Sequence, residues 1–188
     1  MNYIEDETFE KADFTVNGLK KGEYDNCRFV HCNFFEADLS GYRFSGSEFI
    51  GSNLSMVKTD QTTFQEIVFK ECKLLGIHFD HCSELLFSAK FDHCIINLAS
   101  FYKRNLKKTV FNACSLQEVD FAEADLSQAV FNDCDLSRAI FDHTILNKAD
   151  LRTAFHYSID PAANSINKAR FSLAGISGLL DKYDIVIE

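Results

Sequence analysis

Large apolar side chains recur at every fifth position of this chain for about 140 residues. Stepping from Phe9 meets Phe14, Leu19, Tyr24, Phe29, Phe34, Leu39, Phe44, Phe49, Leu54, Thr59, Phe64, Phe69, Leu74 and Phe79, and only Thr59 breaks the apolar run. Stepping from Leu86 meets Phe91, Ile96, Phe101, Leu106, Phe111, Leu116, Phe121, Leu126, Phe131, Leu136, Phe141, Leu146 and Leu151, apolar throughout. A helix returns a side chain to one face about every 3.6 residues and a strand every 2, so neither generates this period. The backbone must instead turn a corner every five residues.

The residue two before each of these positions is usually small, as at Ala12, Cys27, Cys32, Ser47, Cys72, Ala99 and Ala124, so each unit points one small and one large side chain inward. Phe91-Asp92-His93-Cys94 is echoed twenty residues later by Phe111-Asn112-Ala113-Cys114 and again by Phe131-Asn132-Asp133-Cys134, so four units make one coil. Phe91, Phe111 and Phe131 are expected to stack on one face, with Phe101, Phe121 and Phe141 opposite. At about 4.8 Å per coil, some seven coils give a rod roughly 34 Å long. Phe79 and Leu86 are seven residues apart, which places two extra residues within Asp80–Leu85 and predicts a bulge there.

Units such as Ala37-Asp38-Leu39, Ala124-Asp125-Leu126 and Ala149-Asp150-Leu151 resemble those of the pentapeptide-repeat family. The resemblance spans residues 9–151 and implies an all-β solenoid, a right-handed quadrilateral parallel β-helix. The repeat spacing fails after Leu151, dividing the chain into a β-helix over 1–155 and a C-terminal segment over 156–188. In that segment Asp160 and Pro161 predict a short helical turn, and Ile166 and Phe171 resume the five-residue spacing. Ser172 can cap a short helix over 173–182, and 184–188 reads as a strand. An uncovered end would leave four inward residues in water, forfeiting on the order of 8 kcal/mol at about 2 kcal/mol each. The helix and strand could cap the monomer. Alternatively Leu173, Ile176, Leu179, Leu180, Ile185 and Ile187 could pair with a second copy about a two-fold axis, the favoured expectation. The ending from Ile176 to Ile187 resembles the C-terminal segment of the Qnr-type gyrase-protection proteins, which implies a tail-to-tail homodimer.

The sequence carries no Gly-rich phosphate loop, no His-Glu-x-x-His and no Gly-x-Ser-x-Gly, and a convex rod offers carboxylates no cleft in which to act, so no enzyme activity, cofactor or metal is expected. The seven Cys take the small inward position and read as packing residues, Cys82 if the first register continues past Phe79. His31, His81 and His93 each precede a Cys, but neighbours in such a coil diverge, which argues against a shared metal. Net charge is −9, from 28 acidic and 19 basic residues, which argues against direct binding to nucleic acid or an anionic membrane. No basic, apolar leader begins the chain, which makes the cytoplasm the expected compartment.

A basic edge of Lys103, Arg104, Lys107 and Lys108 precedes the acids Glu118, Asp120, Glu123, Asp125, Asp133 and Asp135, which form the candidate partner-binding surface. Arg104 occupies a nominally inward position, so distortion of its unit is expected. The family resemblance implies a DNA mimic that occupies the DNA-binding saddle of a type II topoisomerase, DNA gyrase or topoisomerase IV. Against that, about 34 Å of duplex carries about twenty charges, more than twice the −9 here, and the long loops inserted in Qnr-type proteins are missing. The alternative is an interaction scaffold for a different protein.

Overall fold

The structure, a computed structural model, describes residues 2–186. It is a parallel β-solenoid of about seven coils. Two ladders of short strands support it, one long and one confined to the N-terminal half. One joins Thr8–Glu10, Arg28–Val30, Glu48–Ile50, Ile67–Lys70, Ala89–Asp92, Val110–Asn112 and Val130–Asn132, and makes the first face. The other joins Asn2–Glu5, Gly22–Asp25, Arg43–Ser45 and Thr63–Gln65, and makes the N-terminal half of the fourth face. Single bridges such as Asn33↔Asn53 and Ser100↔Asp120 stack the second and third faces. On either side of the bulge the register advances by twenty residues per coil, as in Phe29↔Phe49 and Phe111↔Phe131, and across it by twenty-two, as in Phe69↔Phe91.

The corners are made by the residue two after each inward one, which takes a left-handed φ, as at Asn26 (52°), His31 (54°), Glu118 (57°) and Lys148 (60°). That conformation costs a non-glycine residue roughly 1–2 kcal/mol, and glycines relieve it only at Gly41, Gly46, Gly51 and Gly76 among the regular corners. The cost is offset by coil-to-coil bonds, such as Asn26 N–H to Ser45 O at 2.9 Å and Gly46 N–H to Gln65 O at 2.9 Å, and by the core. In that core Phe91, Phe111 and Phe131 stack at 5.0 Å, Phe101, Phe121 and Phe141 at 5.4 Å, and the two columns meet edge to face. The strict alternation of Phe and Leu in the sequence therefore appears as two ring columns interlocked at the geometry aromatic pairs prefer.

The seven thiols are free and buried, and they do more than fill space. Cys32, Cys72 and Cys94 donate to the carbonyls of Phe9, Phe49 and Phe69 one coil below, at 3.2–3.3 Å. Ser52, Thr62 and Thr144 occupy the same inward position and donate in the same way, at 2.7–2.9 Å. Thr59, the exception in the apolar ladder, is buried and donates to the carbonyl of His78 at 2.5 Å.

Five expectations are corrected. Leu86 does not start the second inward ladder: it is 64% exposed at a left-handed φ, and the half-buried Phe87 turns inward to meet Phe79 edge to face at 5.7 Å. The extra residues fall at 84–87, since Ser83 still bonds Thr62 normally while Ile67 pairs with Ala89. The Arg104 unit is regular, with Leu106 buried and Asn105 bridged to Asp125; the irregularity lies in the bulge that Arg104 supports. At the C-terminus, bridges Ile145↔Ser165 and Asp150↔Arg170 add a last partial coil, and Asp160 caps its turn by accepting the Ala162 N–H at 2.8 Å. Beyond it, two 3-10 turns, Ile176–Leu179 and Asp181–Tyr183, stand in place of the helix, and residues 184–186 join no strand. Gly178 lies so close to Tyr157 that any side chain would collide with the Tyr157 carbonyl, and its own carbonyl accepts the Ile159 N–H at 2.8 Å.

Candidate functional site

The six acids expected to form one surface are spread over all four faces. Asp133 lies on the first, Glu118 and Asp135 on the second, Asp120 and Glu123 on the third, and Asp125 on the fourth. Three of them build turns. Asp120, Asp125 and Asp135 accept the N–H groups of Ala122, Ser127 and Ser137 at 2.8, 3.0 and 3.1 Å, the Asx-turn geometry that Asp38 also makes with Ser40. Partial burial resists ionisation of Asp135, but bonds from Ser137, Gln117 and His156 outweigh it and hold the carboxyl down at about 2. Glu118 pairs with Arg138 and Glu123 with Lys103, each at 3.4 Å, and Asp125 pairs with Lys107 at 3.1 Å. The basic edge is thereby largely spent on neighbouring coils. Exposed pairs of this kind contribute about 0–1 kcal/mol each and cancel local charge.

Other residues do come together. On the second face, Phe35, Met56, Leu75, Ile95 and Leu98 are exposed on four successive coils, with Met56 lying across Gly76 and Lys73 beside them. Consecutive coils present these side chains at about 4.8 Å spacing, so they form one apolar strip. No equivalent run occurs on the other three faces among the described residues. At the N-terminal end of the fourth face, Glu5 stacks on Asp25 beside Asp6, with no cation within 4.0 Å of any of the three among the described residues.

The bulge is the third feature. Arg104 is 4% exposed, and its guanidinium donates to the carbonyls of Phe79 (2.7 Å), Asp80 (3.0 Å), Ser83 (3.2 Å) and Cys82. No carboxylate lies within 4.0 Å of it among the described residues, so the cation is held by backbone dipoles and by the Phe87 ring 5.8 Å away. Burial pushes the neighbouring Cys82 thiol up to about 12. A groove lined by Ile67, Phe87, Ala89, Lys90, Arg104 and Lys108 runs beside the bulge. On its other side, the 3-10 turn Phe79–His81 brings His78, Asp80 and His81 together, with ligand-capable atoms all within 4.8 Å of one another. The sequence does not mark this group: His78 and His81 are three residues apart, and only the irregular turn at Phe79–His81 stacks their rings.

At the C-terminal end, Leu179 is buried against its own rod and Leu180 is half-buried, so both serve as a cap. Leu173, Ile176 and Ile185 are exposed, as is Val186, while Ile187 lies outside the described residues. No helix among the described residues is long and apolar enough to cross a membrane.

The family model for pentapeptide repeats matches residues 27–65, 94–133 and 114–153, with eight copies. No curated protein matches the chain. Among solved structures, HetL, a pentapeptide repeat protein involved in heterocyst differentiation regulation from the cyanobacterium Nostoc sp. strain PCC 7120, shares 16% identity over 91% of this chain and 84% of its own, at a TM-score of 0.58. QnrB1, a plasmid-mediated fluoroquinolone resistance protein, shares 16% identity over 98% of this chain and 100% of its own, at a TM-score of 0.43.

Proposed function

The chain belongs to the pentapeptide-repeat family, and from that premise we propose that it is a non-enzymatic binding protein whose partner docks along the side of the rod. The observation that carries this proposal is the apolar strip of Phe35, Met56, Leu75, Ile95 and Leu98. Exposed apolar side chains scattered singly need no explanation, but a contiguous run on one face of an otherwise polar rod marks an interaction surface. The partner is a protein with an elongated apolar edge, and the rod supplies a rigid, straight template for it. Replacing Met56 and Leu98 together by Lys tests this: both sit at exposed corners, so the fold should persist while partner capture from native lysate is lost. Capture undiminished by the double substitution would overturn the proposal.

A second proposal is a DNA-mimicking modulator or protector of a type II topoisomerase, DNA gyrase or topoisomerase IV. It is favoured by the net charge of −9 and by the acids Glu5, Asp6 and Asp25, which no cation neutralises among the described residues. Its strength would rest on shape, because so many of the later acids are committed to turns and ion pairs. A gyrase supercoiling assay with and without quinolone, titrated with the pure protein, tests it, and unchanged supercoiling at saturating protein would eliminate it. A tail-to-tail homodimer through Leu173, Ile176, Ile185 and Val186 accompanies either proposal and would place two rods end to end.

A further inference from the structure

We propose that His78, Asp80 and His81 form a binding site for a borderline divalent cation such as Zn2+, with Asp60 orienting His81 from the preceding coil. The Nδ1 of His78 lies 3.2 Å from Asp80 Oδ1, and the Nε2 of His81 lies 3.6 Å from Asp80 Oδ2, so the carboxylate stands between the two imidazoles. Two ligands at about 2.0–2.1 Å from a tetrahedral Zn2+ are roughly 3.3 Å apart, so both spacings are close to those of a loaded site. The His78 and His81 rings are stacked at 4.9 Å and about half exposed, so no buried packing prevents them from turning to close the set around an ion.

An outer-shell carboxylate also stands nearby. The other ring nitrogen of His81, Nδ1, faces Asp60 Oδ1 at 3.6 Å. A carboxylate that closes to hydrogen-bond distance of that nitrogen as the ring turns onto a metal would favour the tautomer that leaves Nε2 free to bind, the arrangement found behind most metal-ligating histidines. The backbone beneath is immobilised: Thr59 holds the His78 carbonyl, and Arg104 holds those of Phe79 and Asp80. Two imidazoles and a carboxylate suit Zn2+ and its neighbours rather than Ca2+ or Mg2+, which favour all-oxygen shells. Three protein ligands leave one position for water or for a side chain of the docked partner. The bound ion would stiffen the 3-10 turn itself, with Asp60 the link from His81 to the preceding coil. This inference is independent of which face the partner uses.

The test is calorimetric titration of the tag-free full chain with ZnCl2, with Co2+ absorption reporting coordination geometry. Saturable binding of one ion per chain is expected. His78→Ala and His81→Ala should each abolish the Co2+ ligand-field bands, and Asp60→Asn should weaken affinity at least about tenfold while retaining them. His143→Ala, at a simple His–Asp pair on the third face, should change nothing. Absence of saturable binding to the wild type, or affinity unchanged in both His78→Ala and His81→Ala with native circular dichroism, would overturn the site.

Discussion

Removing Arg104 should loosen one coil and leave the others standing. Its guanidinium makes four hydrogen bonds to carbonyls of residues 79–83, and bonds to a charged group contribute about 1.5–3 kcal/mol each. Burying the cation without a carboxylate costs several kcal/mol, which cancels much of that sum. In Arg104→Ala the carbonyls lose their donor at about 1–3 kcal/mol each, but water entering from the adjoining groove can rehydrate some of them. The net loss should be about 3 kcal/mol, or roughly 6–12 °C in Tm for a chain of this size. Arg104→Lys keeps the charge but offers a point donor in place of a planar fork, so it should recover less than half. Because coils contact only their neighbours, hydrogen exchange is the decisive assay: protection should fall over 79–88 and persist over 110–132. Wild-type Tm together with unchanged protection at 79–88 would refute the pinning role.

Four other outcomes follow from the same contacts. Gly178→Ala should unseat the C-terminal cap, because the new methyl meets the Tyr157 carbonyl, and exposing the last rung should lower Tm by several degrees in thermal unfolding, at roughly 2–4 °C per kcal/mol. Cys94→Ala should cost more than Cys94→Ser, since only the hydroxyl can still donate to the Phe69 carbonyl; denaturant midpoints give the order. Asp135 has a folded-state pKa held down at about 2, below its unfolded value, so its stabilisation is present above pH 4 and is lost as pH falls through 2; the acid limb of stability against pH should flatten in Asp135→Asn. Ile176→Asp should convert a species of twice 21.4 kDa into monomer by light scattering, and a monomeric wild type would dispose of the dimer.

The five-residue ladder makes the coil, the ring columns and the bulge legible in the sequence, because each inward residue is marked by its own type. Glu118 through Asp135 were misjudged as one surface because sequence proximity is the wrong measure in this fold. Residues five apart lie on different faces, and those twenty apart are neighbours. Counting by twenty from Phe35 meets Leu75 and Ile95, and Met56 and Leu98 lie on the same face one residue past position 55 and three past position 95. The turn duty of Asp120, Asp125 and Asp135 is hidden for another reason: a triplet such as Ala-Asp-Leu marks the repeat without showing that its carboxylate closes the corner. Arg104 looked like an error in the ladder, and only the path of residues 80–88 shows what it supports. The C-terminal turns followed from apolar spacing too short to distinguish a 3-10 turn from a helix.

The central claim is that one side of the rod is the docking side, and a single coil can test it. Leu98, Lys103, Lys108 and Ala113 occupy equivalent left-handed corners of consecutive units, one after each face of that coil. A photo-crosslinking residue placed at each in turn, in native lysate, should join one protein partner at Leu98 and give little product at the other three. Equal yields at all four corners, or a maximum away from Leu98, would contradict the account.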